Sequence, residues 1–172
     1  MLGIAAMDSQ AQEAHRSIRS AIKEGKTAET LALLTEDESR LRMMTPFGSW
    51  LHVAAKIGNL EIVKALVGLG LDVNLRGGTF GGSAINLAAS CGHLEVVRFL
   101  LQAGSELDVS EPERNPLFGA IHGGHIDIVR FLVEAGIDHR IRYTGSSMRD
   151  MDALSFARER GQTDVEVFLA AL

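Results

Sequence analysis

The 172-residue chain predicts an all-α repeat solenoid of about five helix-turn-helix units with β-hairpin-like fingers between them. Three observations predict it. The stretch SWLHVAAKIGNLEIVKALVGLGLDVN, Ser49 to Asn74, returns as SAINLAASCGHLEVVRFLLQAGSELD, Ser83 to Asp108, and again as NPLFGAIHGGHIDIVRFLVEAGIDHR, Asn115 to Arg140. A glycine ends the first helix of each unit at Gly25, Gly58, Gly92, Gly124 and Gly161, at intervals of 33, 34, 32 and 37 residues. Apolar positions counted from those glycines fall on one helical face every time.

The elements follow in order. The first helix starts near Asp8 or Ser9, in a degenerate opening unit (AIKEGKTAETLALL) that keeps the 33-residue phase. Ser49, Ser83, Asn115 and Asp152 open the later first helices; their side-chain oxygens suit the N-cap, where one accepts from an orphan backbone N–H. Pro116 follows Asn115 at the first helical position, where a missing N–H costs nothing. The closing glycines supply the left-handed conformation that ends a helix. The pairs Ala54-Ala55 and Ala88-Ala89 let first helices approach their neighbours closely.

The second helices carry the core. Four residues past each glycine stand Ile62, Val96, Ile128 and Val165, and eight past it Leu66, Leu100, Leu132 and Leu169. At the fifth position the middle units have Val63, Val97 and Val129, but the ends have Thr30 and Glu166. The second alanine of the small pair becomes Arg158 in the last unit. A terminal repeat lacks one neighbour, so these polar residues are expected to face water and keep the stack soluble.

The totals bound the function. One domain, residues 1–172, divides into units at approximately 8–44, 45–78, 79–112, 113–146 and 147–172, the first and last acting as caps. A net charge of -5 argues against nucleic acid or an anionic membrane as partner. The single cysteine, Cys91, has no internal disulfide partner, which suits a reducing compartment. MLGIAAM is too short for a signal sequence, and no apolar run reaches the roughly 18 residues of a membrane span. The expected location is the cytoplasm.

The blocks SWLHVAAKIGN, SAINLAASCGH and NPLFGAIHGGH resemble the TPLHxAAxxGH core of ankyrin repeats, and GLDVN, Gly70 to Asn74, is similar to that family's GADVN. The resemblance covers about Glu13 to Leu172. Ser-Trp, Ser-Ala, Asn-Pro and Asp-Ala replace Thr-Pro, and the last connection, Ile141 to Met151, is about four residues longer than usual. It implies that His52, His93 and His125 satisfy backbone and loop groups between repeats.

Catalytic and metal readings are weak. No HExxH, CxxC or paired histidine spacing occurs, and Gly123-Gly124 separate His122 from His125. Cys91-Gly92-His93 suggests a thiolate hydrolase, but no orienting group or oxyanion site accompanies it. Gly77-Gly78-Thr79-Phe80-Gly81-Gly82 lacks the GK[ST] ending of a phosphate loop and reads as a finger turn. Neither cofactor nor metal is expected. Glu36-Asp37-Glu38 reads as a solvated acidic loop. Arg140, Arg142 and Arg149 lie in a long finger without an acidic residue from His139 to Arg149, and are expected either to be solvated or to meet an acidic site on a partner.

The resemblance places partner contacts at the finger tips and at the two residues before each first-helix glycine. Here these are Phe80, Gly82, Arg114, Met148 and Arg149 on the fingers, with Arg142 beside them. On the helices they are Lys56-Ile57, Ser90-Cys91, His122-Gly123 and Glu159-Arg160. Trp50 divides evenly between packing against Phe47 and contacting a partner. This composition suits a protein-binding patch. The expected function is a non-catalytic, monomeric protein-binding module. It resembles the small immunity proteins that block bacterial toxins or enzymes; the alternative is an adaptor or inhibitor of a cellular enzyme or regulatory complex.

Overall fold

The computed structural model describes residues 9–78, 81–145 and 148–172. Eleven helices account for most of them: α1 (Ser9–Lys23), α2 (Thr27–Thr35), α3 (Glu38–Leu41), α4 (Trp50–Ile57), α5 (Leu60–Gly68), α6 (Ala84–Ser90), α7 (Leu94–Gln102), α8 (Pro116–Gly123), α9 (Ile126–Glu134), α10 (Ala153–Glu159) and α11 (Thr163–Ala170). They stack in two layers. The first helices α1, α4, α6, α8 and α10 each pack on the next, and α2, α5, α7, α9 and α11 form the second layer. Among the described residues the fingers hold isolated bridges, Thr45 to Gly48, Gly77 to Gly82 and Tyr143 to Met151, rather than a sheet.

The apolar register produces one continuous core. Ile62, Leu66, Val96, Leu100, Ile128, Leu132, Val165 and Leu169 are all buried, as are Val63, Val97 and Val129. Ala54, Ala55, Ala88 and Ala89 have no exposed surface, consistent with close contact of α4 with α6 and of α6 with α8. An acidic residue stands in the first turn of every second helix (Glu29, Glu61, Glu95, Asp127 and Asp164), where it offsets the positive end of the helix dipole. On the outer side of this layer a cation of one unit lies over the aromatic ring of the next. Lys64 is 5.9 Å from the Phe99 centroid, Arg98 4.4 Å from Phe131, and Arg130 4.3 Å from Phe168.

Caps and closures work unevenly. Asn115 accepts from the Leu117 N–H and Asp152 from the Ser155 N–H, as their positions predict. Ser83 makes no such side-chain bond, and the Ser49 Oγ lies 2.9 Å from His52 Nδ1. Gly58 and Gly92 do more than end helices. A Cβ on Gly58 would lie 2.3 Å from His93 Nδ1, and one on Gly92 2.7 Å from His125 Cε1. Each glycine therefore vacates the space that the next unit's imidazole fills.

Two expectations change in the first unit. Thr30 does not face water: it has no exposed surface, because α2 packs against α1, α3 and α5 and encloses that position. Its hydroxyl has no hydrogen-bond partner among the described residues. The Glu36-Asp37-Glu38 stretch is not simply a solvated loop, since Asp37 accepts from the Ser39 N–H and caps α3, while Glu36 pairs with Arg40. At the other end Arg158 and Glu166 are joined at 2.8 Å, giving the last unit a charged outer side.

The last finger is a hairpin. Tyr143 N–H donates to the Met151 carbonyl at 2.9 Å and Met151 N–H to the Tyr143 carbonyl at 3.0 Å. The Tyr143 hydroxyl reaches back to the Val109 carbonyl at 2.7 Å and accepts from Asn115 Nδ2 at 3.0 Å, tying this finger to the preceding one.

Candidate protein-binding face

The site is built on the C-terminal turns of the first helices, and the histidines align those turns. Nε2 of His93 donates to the Lys56 carbonyl (3.0 Å), and Nε2 of His125 donates to the Ser90 carbonyl (3.3 Å). His52 Nδ1 accepts from the Ser49 N–H (3.2 Å), so its proton sits on Nε2 and goes to the Gly82 carbonyl (3.1 Å). Burial pushes this imidazole below its ordinary value, against the opposing effect of the Gly82 carbonyl. The three rings thus serve the inter-repeat role that the resemblance implied.

Along the resulting row Lys56 is exposed, Ile57 half-buried, Ser90 and Cys91 half-buried, and His122, Glu159 and Arg160 exposed. Ser90 Oγ donates to the Leu87 carbonyl at 3.0 Å. The Arg160 guanidinium lies 5.0 Å from the Phe156 centroid. Arg114 is partly sheltered in an ion-pair cluster with Asp108 (3.4 Å) and Glu111 (3.7 Å). Arg149 is exposed and, among the described residues, makes no ion pair. Phe80 lies outside the described residues.

Two candidate contact residues belong to the core instead. Trp50 is 0 % exposed: its Nε1–H donates to the Arg40 carbonyl (2.7 Å) and its ring lies 5.1 Å from that of His15. The connection from α2 to α4 folds over the indole and supplies that acceptor, so Trp50 anchors the first unit to the second. Met148 is also buried, because the hairpin turns it inward to the apolar core.

The basic finger is neutralised within the chain. Arg142 Nε donates to Asp150 at 2.7 Å, Nη1 to Asp152 at 2.9 Å, and Nη2 to the Asp150 carbonyl. The Arg142 bond holds the Asp150 carboxyl below its ordinary value. Arg140 pairs with Asp138 at 3.1 Å. Two of the three arginines that suggested a plug for an acidic cleft already have carboxylate partners.

A different part of the face presents charge and apolar surface together. Thr45 to Gly48 form a tight turn: Gly48 N–H donates to the Thr45 carbonyl and Thr45 N–H to the Gly48 carbonyl, with Pro46 preset for the turn's second position. The turn holds Phe47 outward, 40 % exposed. The Arg19 guanidinium sits 4.5 Å from its centroid and the Lys56 ammonium 5.8 Å away on the same ring. One cleft of about 200 Å³ is lined by Arg19, Lys23, Phe47, Val53, Lys56 and Ile57. A second, of about 130 Å³, is lined by Phe47, Lys56, Gly77, Gly78, Gly82, Asn86 and Leu87. Sequence reasoning missed Phe47, Arg19 and Lys23 as contacts. The available signals were the Thr-Pro-Phe-Gly turn and the basic row Arg16, Arg19, Lys23 on one face of α1.

Among the described residues Cys91 and His93 make no hydrogen bond to each other. The His93 Nε2–H is committed to the Lys56 carbonyl, while Cys91 Sγ lies 4.0 Å from Ser90 Oγ. Among the described residues no group of three His, Cys, Asp or Glu side chains is arranged to hold a metal ion, and no helix is long and apolar enough to cross a membrane. A family model described as Ankyrin repeats (3 copies) matches residues 51–143, more than half of the chain. Comparison with curated proteins gives no match.

Proposed function

The chain belongs to the ankyrin-repeat family, whose members are generally protein–protein interaction modules, and we propose that it acts by occupying a partner protein's surface rather than by turning over a substrate. The observation that carries this reading is the row of first-helix ends running into the exposed Phe47 ridge. Trp50 and the alanine pairs beneath that face build the core, whereas Lys56, His122, Glu159 and Arg160 project from it. An aromatic flanked by cations and half-buried aliphatics is the composition of an interface centre.

Inhibition of an enzyme, including neutralisation of a bacterial toxin, is the finer form of this reading, and an adaptor role is its competitor. Self-neutralisation of Arg142 and Arg140 removes the finger argument that favoured a toxin's acidic cleft. Inhibition then rests on the face around Phe47.

Affinity capture tests the proposal. The full chain and a Phe47→Ala/Lys56→Glu variant of matched melting temperature are immobilised and exposed to extract. A protein retained by the first and lost by the second supports the reading, and its identity separates inhibitor from adaptor. Equal retention on both matrices contradicts it.

A further inference from the structure

Resting on the protein-binding reading, the geometry points to an acidic, extended segment of the partner, with an apolar residue between carboxylates, as the ligand of the two clefts that flank Phe47. The clefts share Phe47 and Lys56, so one strand of peptide crossing the ring enters both. At about 200 and 130 Å³ each is smaller than a typical small-molecule site of ~300–1,000 Å³, whereas an extended chain uses their combined length.

Charge selects the segment. Among the described residues Arg19, Lys23 and Lys56 make no ion pair, nor do Arg16, Lys64, Arg130, Arg149 and Arg160, but these first three line a single cleft. Arg19 and Lys56 rest on the Phe47 ring, which steadies them without cancelling their charge. Three uncompensated cations gather at one cleft of a chain whose net charge is -5. Carboxylates on a short segment satisfy them locally. An extended polyanion would also run along a molecule with an acidic residue at the head of every second helix.

Asn86 gives an independent argument. It occupies the place in its helix that His52 occupies in α4, three residues past the cap, yet it does not reproduce that residue's bonds. Asn86 is 8 % exposed, lines the second cleft, and its Nδ2 has no acceptor among the described residues. A half-turn of the amide, whose terminal torsion is soft, presents the NH₂ group to the cleft. A backbone carbonyl or carboxylate of the segment is the acceptor that this group lacks. The neighbouring Gly77, Gly78 and Gly82 have no side chains to obstruct its approach.

Selection of a displayed random 12-residue peptide library on the full chain tests this. The expected winners carry Asp or Glu on both sides of an apolar residue. A synthetic representative should bind at least tenfold more weakly to the Arg19→Gln/Lys56→Gln variant, and more weakly as salt rises. Asn86→Leu should weaken it severalfold while leaving the melting temperature unchanged or higher, because the free amide makes no bond to lose. The proposal is overturned by neutral or basic winners, by no enrichment, by equal affinity for the double variant, or by an oligothymidylate of equal charge that binds more tightly than the peptide. Winners that instead compete at His122 and Arg160 also overturn it, while leaving the broader protein-binding reading intact. That broader reading fails separately, in the affinity capture.

Discussion

Gly58→Ala isolates the coupling between neighbouring repeats. Gly58 has φ +85°, where an L-residue costs about 1–2 kcal/mol. Its new Cβ would also meet three atoms of the His93 ring at 2.3, 2.4 and 2.6 Å, so the ring must leave. Leaving breaks the 3.0 Å bond to the Lys56 carbonyl, worth about 0.5–1.5 kcal/mol, and forces a strained rotamer at about 0.5–1.5 kcal/mol. The expected total is about 2–5 kcal/mol. Gly161 is the natural comparison: φ is +67°, it ends the last first helix, and a Cβ there meets nothing within 4 Å. Its replacement by Ala should cost only the backbone share of about 1–2 kcal/mol. Urea unfolding of both variants, and of Gly58→Ala in a His93→Ala background, gives the answer. In that background the Gly58→Ala cost should fall to the backbone share. An undiminished cost would refute the claim that glycine and imidazole are fitted to each other.

Three further outcomes follow from the packing. Thr30→Val should raise stability by about 1 kcal/mol in thermal or urea unfolding, since it replaces a buried, unpartnered hydroxyl by the valine found at the same place in the middle units; destabilisation would mean that the hydroxyl has a partner. Leu100→Ala should cost about 2–5 kcal/mol and Leu172→Ala almost nothing, the first being fully buried and the second 63 % exposed, with equal costs counting against the stack. The His52 imidazole is held neutral by burial, and its Nδ1 accepts from the Ser49 N–H. Its contribution is therefore complete above the unfolded histidine value of about 6.5 and is lost as pH falls from there through the lower folded value. His52→Gln should flatten the stability profile below about pH 6.5, and an unchanged profile would assign that slope to other groups.

The fold was legible because its signals are local and repeated. The glycine spacing and the apolar positions from Ile62 to Leu169 need no knowledge of which units touch. The resemblance also carried the histidines to their inter-repeat role. What escaped was set by packing between distant segments. Trp50 stayed divided between core and interface because its acceptor, the Arg40 carbonyl, lies ten residues away in the short helix α3, which the sequence did not signal. The finger looked basic because the acid-free stretch from His139 to Arg149 stops one residue short of Asp150, which the hairpin folds back onto Arg142. Thr30 looked like a solvent-facing cap because the enclosing helix α3 follows from an Asp37 cap in what read as an acidic loop. Phe47 went unassigned as a contact because its exposure depends on a turn whose cations come from α1 and α4.

Hydrogen exchange of the full chain, free and saturated with its captured partner, addresses the binding face most directly. Slowed exchange should concentrate in residues 16–23, 45–57 and 77–92, around Phe47 and its two clefts. Protection confined to α5, α7 and α9, with those segments unchanged, would place recognition on the opposite layer and contradict the assignment.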